Sequence, residues 1–518
     1  MLNGNMQVQC PPSSAAARPS LTHHFFLLAI SALTFLVHGY HPFADDAGLY
    51  VAGVEKLLDP TLFPVGMRFI LSETRIESFY PLMIGVTKML GGSLEGALLL
   101  LYLLTVVAFI YGAWYVSGQI TDCRFSRLIA VCLAGCFFTL PVAGTSIHIM
   151  EPYAGPRSIV AALSLFAVGL TLERRWFWLG VTLLAGATMH PELTIFTASF
   201  VLVLALLKDG KTRLTLSACG LALVITAALY AFTAPTAASV AHPSAAYQAA
   251  QQSRTYIFLS DWHWYELLGV LLPLCLLAVA ASWLRLSNVA GRLCVACVLA
   301  GTTSLVCSAL FVHPAGPGLL ARLQMLRMFQ LIYMVGVLLL GCGIGTFLVN
   351  RGRGWRSIGI GALATLASAM FFIQTAAFGH SNHLELPGLK PCNAYEQAFW
   401  WIRDNTPSTA VFAADPMLVF APGEDEQNLR AMAERSVLAD YKDEGLVLVF
   451  PKDSGDWYKQ FDAQTGIASM SDAERVARLV PLGASWMVLP ASALTAMPCP
   501  YRNNSVLVCR LETQIVSQ

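Results

Sequence analysis

The chain reads as a polytopic α-helical membrane protein with about eleven spans and a C-terminal extracytoplasmic α/β domain. Three observations predict this. Hydrophobic residues make up 56% of the 518 positions and charged residues only 12%, where a soluble domain carries roughly 25% charge. Apolar stretches near the roughly 20 residues a bilayer crossing needs recur along the first three quarters of the chain. After about Gly379 the composition turns soluble.

The expected spans run approximately 24–40, 95–117, 127–143, 157–173, 176–189, 192–207, 214–233, 265–283, 292–312, 328–349 and 357–378. The fifth and sixth are short and meet at Met189-His-Pro-Glu192, so they read either as two spans or as a broken, re-entrant pair. Residues 1–21 are expected to be a disordered cytoplasmic N-terminus. The first span lacks a small-residue cleavage site and reads as a retained anchor.

Basic residues set the orientation. With the N-terminus in the cytoplasm, Arg124 and Arg127, Arg174 and Arg175, Lys208, Lys211 and Arg213, Arg285 and Arg292, and Arg351, Arg353 and Arg356 all fall inside, as the positive-inside rule requires. The intervening loops are acidic, and the four His-Pro dipeptides fall on that outer side, so the functional face is expected outside. A net charge of +1 and the lack of any basic run give no electrostatic argument for nucleic acid, and no nucleic-acid partner is expected.

The first outer loop, 41–94, opens with His41-Pro-Phe-Ala-Asp-Asp-Ala-Gly-Leu-Tyr50. Its apolar spacing predicts an amphipathic helix at the membrane interface, with Asp45 and Asp46 in its first turn. Free N–H groups there favour negative charge, so one of the pair could be simply a cap. A second helix is expected from Ser78 to Leu90.

Three arginines break the positive-inside trend: Arg157, at the outer start of the fourth span, and Arg322 and Arg327, read as lying on one helix. Arg suits phosphate through its planar fork, and charges at membrane depth face a cavity or a partner; each could equally snorkel at the interface. Glu151, His190 and Glu192 join them in a candidate cavity, although His190 and Glu192 would also suit a solvated turn. His41, and Asp261 and His263 in the aromatic stretch around Trp262, complete the candidates.

Beyond Gly379, strands are expected at 410–414, 436–439, 486–489 and 506–511, with helices at 396–405 and 472–479, a small α/β domain over 379–518. It has no glycine-rich loop, triad or metal motif, and acceptor binding or partner contact is the expected role. Most of the 13 cysteines lie in spans. Cys392, Cys499 and Cys509 are in the outer domain, where one disulfide is expected, most readily with Cys499.

The acidic pair after the first span, the two loop helices, Glu151-Pro-Tyr-Ala-Gly-Pro-Arg-Ser158, the Met189-His-Pro-Glu192 break and the fragments Trp401-Ile-Arg-Asp-Asn-Thr-Pro407, Glu434-Arg-Ser-Val437 and Gly483-Ala-Ser-Trp-Met-Val-Leu489 resemble the GT-C glycosyltransferases. A bacterial branch of GT-C-like proteins is the nearer resemblance. It implies an enzyme of the bacterial inner membrane that moves a sugar from a polyprenyl-phosphate donor to a glycan, lipid or protein acceptor outside, among membrane lipids. The general base would lie in the first outer loop, at Asp46 or Asp45, with Asp46 preferred. Arg322, Arg327 and Arg157 would hold the lipid phosphate. Were both carboxylates to face one site, a divalent metal could bind, but no Asp-x-Asp or His-rich spacing calls for one. The same scaffold could instead serve a non-catalytic transporter or an assembly protein for envelope polysaccharide, yet neither mid-span ionisable residues nor inverted repeats are evident.

Overall fold

A computed structural model describes residues 21–207, 244–312 and 321–511. Helix α1 (Leu21–His38) leads into the first outer loop, which holds α2 (Ala47–Leu58), α3 (Arg68–Glu73) and α4 (Phe79–Met89). The membrane helices that follow are α5 (Leu94–Ile120), α6 (Arg124–Cys136), α7 (Pro156–Leu172), α8 (Trp176–Met189) and α9 (Pro191–Leu207). After a short outer helix α10 (Ala245–Ser253) come α11 (Trp264–Trp283), α12 (Val289–Phe311), α13 (Phe329–Arg351) and α14 (Arg353–Ala377).

Among the described residues six helices are long and apolar enough to cross a membrane: α1, α5, α11, α12, α13 with the turn before it, and α14. Helices α7, α8 and α9 are apolar but shorter, with 17, 14 and 17 residues. The expected third span shrinks to the 13 residues of α6. The expected count of eleven is therefore not confirmed among the described residues; the expected stretch 214–233 lies outside them, as do 1–20. Gly341 and Gly345 let α13 pack on α6 at backbone distance. A Cβ on either would come within 2.4 Å of the Cα of Ala130 or Ser126, the close approach that small residues permit between membrane helices.

Two segments differ from a simple helical reading. Helix α2 does not leave its apolar stripe open: Ala47 through Glu55 are all buried, packed against α3, α4 and the C-terminal domain. Gly48 is part of the reason, since a Cβ there would meet the Asn428 side chain at 2.1 Å. The segment carrying Arg322 and Arg327 is not one helix either. Gln324 takes a left-handed backbone at φ 42° and a 3-10 turn follows over Met325–Met328, so the two arginines diverge.

The C-terminal domain is built on a five-stranded sheet, order β2-β1-β3-β5-β4. Its strands are β1 (Val411–Ala413), β2 (Ser436–Val437), β3 (Trp486–Pro490), β4 (Tyr501–Arg502) and β5 (Val506–Arg510). Strand β1 runs parallel to β2 and β3, and β5 is antiparallel to β3. One apolar cluster lies under helix α15 (Ala394–Asn405) and another under α19 (Asp472–Leu479); between them in the chain run α16 (Leu429–Ala433), α17 (Asp443–Val449) and α18 (Ser454–Gln464). Cys499 and Cys509 form a disulfide 10 positions apart, and Cys392 is free. Closing so short a loop contributes roughly 2–3 kcal/mol by restricting the unfolded chain. Cys499→Ala/Cys509→Ala is expected to lower the melting temperature of the purified protein, and reductant should lower the wild type to match; equal melting of both forms, reduced or not, would refute this.

Backbone contacts dock this domain on the first outer loop. Ala44 bridges Gln427, Tyr40 bridges Leu384, and the Asp45 N–H donates to the Glu426 carbonyl at 2.8 Å. The docking draws the segment 440–444 over the acidic pair.

Candidate functional site

A cavity of about 250 Å³ lies between ends of the membrane helices, the loop after α1 and the C-terminal domain. Its walls include Asp45, Asp46, Tyr50, Arg157, His190, Glu192, Arg254, Tyr256, Gln324, Arg327 and Lys442. Six sequence candidates thus meet in one space: Asp45, Asp46, Arg157, His190, Glu192 and Arg327.

The acidic wall is organised by Arg157. As the second residue of α7, after Pro156 at a first helical position that needs no N–H, it is 4% exposed. Its Nη1 lies 2.9 Å from Asp46 Oδ2, and its Nη2 lies 3.8 Å from Asp45 Oδ2 and 3.4 Å from Glu151 Oε1. Nη2 also donates to the Tyr153 hydroxyl at 3.0 Å, and that hydroxyl donates to Asp45 Oδ2 at 3.1 Å. Arg157 is therefore committed to carboxylates. Glu151, 3% exposed, stands behind it with His148 at 3.1 Å and does not line the cavity.

Asp45 and Asp46 differ in their surroundings. Asp45 has a left-handed backbone, φ 54°, which Asp tolerates better than most residues. Its side chain accepts from Lys442 and Tyr153. Burial pushes its carboxyl up, but Lys442 and Arg157 outweigh burial and hold it below the usual carboxylate range. Asp46 occupies the N-cap position of α2 without making a side-chain cap bond, so capping does not account for it. Its oxygens face Arg157 at 2.9 Å and Lys442 at 3.5 Å, and the side chain is 25% exposed.

The opposite wall is cationic and aromatic. Arg327 stands 5.5 Å from the Tyr256 ring centre and 3.9 Å from Glu192, too long for a hydrogen bond. Arg254 packs on Tyr441 at 4.1 Å, donates to that residue's carbonyl at 2.6 Å and lies 3.5 Å from Glu444. Burial pushes the Glu444 carboxyl up to about 7, against the pull of Arg254. Neither arginine has a carboxylate as near as the 2.9 Å between Arg157 and Asp46. His190 forms the one-residue break between α8 and α9, extended at φ −150°, ψ 95°, and Glu192 follows in the first turn of α9.

Four candidates lie elsewhere. Arg322 is off the cavity wall, its guanidinium turned onto the Val449 carbonyl at 2.7 Å, because the turn at Gln324 rotates it away from Arg327. His41 is buried between Glu385, 2.8 Å away, and the Phe378 ring, 3.7 Å away, at the junction with the C-terminal domain. Asp261 and His263 are exposed. Between them Trp262 turns inward, its indole donating to the Tyr256 carbonyl at 3.2 Å, which leaves its neighbours pointing out; His263 then caps α11.

Sequence reasoning missed Arg254 and Lys442. Arg254 falls in a loop expected on the outer side, against the positive-inside trend, the same signal that singled out Arg157. Lys442 comes from the domain that was expected to stand apart from the chemistry.

Fold and site together define a multi-pass membrane protein whose membrane helices, first outer loop and C-terminal domain share one polar cavity. Comparison with solved structures finds, among other matches, oligosaccharyltransferase structures from Archaeoglobus fulgidus, the first of them AglB. In complex with an inhibitory peptide and a dolichol-phosphate it matches with a TM-score of 0.49 at 11% identity, over 90% of this chain and 69% of that one. A second, tethered to an acceptor peptide containing the NVT sequon, matches with a TM-score of 0.48 at 10% identity, over 91% and 69%. No family model and no curated protein sequence matches the chain.

Proposed function

We propose that this chain transfers a sugar from a polyprenyl-phosphate carrier to an acceptor hydroxyl or amine on the outer face of a bacterial plasma membrane. The observation that carries the reading is the division of one cavity into an acidic wall, Asp45 and Asp46, and a cationic wall, Arg254 and Arg327. Glycosyl transfer needs both: a carboxylate to take the acceptor's proton, and cations to stabilise the departing lipid phosphate. In the step proposed, the bond from the sugar's anomeric carbon to the phosphate oxygen breaks as the acceptor oxygen or nitrogen bonds to that carbon. The acceptor proton passes to Asp46, and the phosphate leaves with the electron pair and its negative charge between Arg254 and Arg327.

Asp46 is the better base of the two because Asp45 is more tightly held by Lys442, Tyr153 and Arg157. The cavity falls below the roughly 300–1,000 Å³ of sites that enclose drug-sized ligands, which suits one sugar with its phosphate, the prenyl chain remaining among the lipids.

The reading is tested by incubating membranes that carry the chain with labelled polyprenyl-phosphate sugars and an extract of envelope acceptors. Label moves to an acceptor if the reading holds; no transfer across a broad donor and acceptor panel would overturn it. Within that assay, Arg254→Ala and Arg327→Ala are each expected to lower kcat/KM for the donor about 10- to 100-fold, the loss of a hydrogen bond to a charged group. Asp261→Asn and His263→Ala, off the cavity, should leave it unchanged. Donor titrations of the four variants check this, and equal values for all would refute the assignment of the cationic wall.

A further inference from the structure

The acidic pair already has its cations. Lys442 Nζ sits on Asp45 Oδ1 and lies 3.5 Å from Asp46 Oδ1. Arg157 faces the two other oxygens, Asp46 Oδ2 at 2.9 Å and Asp45 Oδ2 at 3.8 Å. Each carboxylate therefore shows one oxygen to an ammonium and the other to a guanidinium, and the four charges sum to zero.

A divalent ion would need that space. Mg²⁺ or Ca²⁺ takes about six to eight oxygen ligands at roughly 2.0–2.6 Å, and a lysine between two carboxylates fills the approach such an ion would use. Among the described residues no group of three or more His, Cys, Asp or Glu side chains could hold a metal. The carboxylates as arranged do not fit one.

Lys442 is also held in place. It is 7% exposed, and its N–H donates to Asp440 Oδ1 at 2.8 Å. The Asp440 carbonyl in turn accepts from the Trp457 indole at 3.0 Å, and the next residue, Asp443, is clamped by both terminal nitrogens of Arg430 at 2.9 and 2.6 Å. A side chain that merely drifted over the acidic pair would not need this anchoring.

We infer that Lys442 is the built-in cation of this site, a positioning residue supplied by the C-terminal domain that stands where a divalent metal would otherwise bridge Asp45 and Asp46. The inference rests on the proposed transfer reaction only for its activity arm. Its metal arm stands without any turnover.

The test uses the full chain purified in detergent micelles and titrated with Mn²⁺, followed by electron paramagnetic resonance. Wild type should bind no Mn²⁺ that Asp45→Asn/Asp46→Asn removes. Lys442→Met, which leaves one net negative charge on the pair, should gain at least about tenfold in Mn²⁺ affinity, and the gain should vanish in Lys442→Met/Asp45→Asn. If the Met variant loses its melting transition, Lys442→Gln takes its place. In the transfer assay, wild type should withstand EDTA, whereas Lys442→Met should lose at least about tenfold and recover part of it with Mn²⁺. Wild-type Mn²⁺ binding that depends on the two aspartates, a folded Lys442 variant that gains no Mn²⁺, or one that transfers faster than wild type would each overturn the inference; the last would make Lys442 a plug. If no form transfers sugar, the reaction proposed above fails, while the Mn²⁺ titration still decides this one.

Discussion

Asp46→Asn is expected to lower sugar transfer by about 10²- to 10⁴-fold, the usual contribution of a general base, with the amount of protein in the membrane unchanged. Asn keeps the size of the side chain and can still accept from Arg157, which lies 2.9 Å from Asp46 Oδ2, so the fold loses little. What it loses is the capacity to take a proton. Asp45→Asn should behave differently. Asp45 is tied to Lys442 and to the Tyr153 hydroxyl, and Lys442 and Arg157 together outweigh burial to keep its carboxyl below the usual range, so it makes a weak base and a firm anchor. Its removal is expected to cost about tenfold, through a loosened Lys442, since a hydrogen bond to a charged group is worth roughly 1.5–3 kcal/mol. Rates of label transfer in membranes matched for protein level separate the two. Equal rates for wild type and both variants would remove this loop from the chemistry, and a larger loss in Asp45→Asn would exchange the two roles.

How far this site could be read from the chain depended on the distance between its parts. Asp45, Asp46 and Arg157 were legible because each is a charge beside an apolar run, and charges at membrane depth have to face something polar. Lys442 was not: it stands 397 positions from Asp45, and nothing local distinguishes it from a lysine on a soluble surface. The same limit applies to α2. Its apolar stripe was evident, but a stripe does not say what covers it, and the cover is protein, α3, α4 and the C-terminal domain together. Arg322 failed for a different reason. The pairing with Arg327 assumed a continuous helix, and the left-handed turn at Gln324 breaks it with no proline or glycine at that position to announce it.

In the C-terminal sheet, apolar runs at 410–414, 436–439, 486–489 and 506–511 located four of five strands. The fifth, Tyr501–Arg502, pairs only with β5 and lies between Pro500 and Asn503-Asn504, with no apolar run to mark it. Six of the expected spans match helices long and apolar enough to cross a membrane, whereas others were legible only as apolar segments. Apolar content marks what avoids water, whereas a crossing also needs length, and helices such as α6 and α8 have the first without the second.

Breaking the Arg430–Asp443 pair is expected to have the largest effect on stability. The two side chains are 2% and 0% exposed and make two parallel hydrogen bonds at 2.9 and 2.6 Å. Removing one partner from a buried pair leaves an uncompensated charge and costs about 3–5 kcal/mol, so Arg430→Met and Asp443→Asn should each lower the melting temperature sharply. Removing both partners has a different cost, because no charge is then stranded. Arg430→Met/Asp443→Leu should recover much of the loss, since apolar replacements of buried ion pairs are often neutral or better. A double-mutant cycle from thermal melts of the purified protein measures the coupling, and strictly additive losses would show that the pair does not act as a unit. The same variants separate fold from site. Asp443 follows Lys442 directly and also accepts from the Asp440 N–H at 3.1 Å, so the double variant is expected to melt near wild type yet transfer sugar poorly, its Lys442 no longer seated on the aspartates. Full transfer by a stable double variant would mean that the backbone at 440–442 holds Lys442 without help from the ion pair.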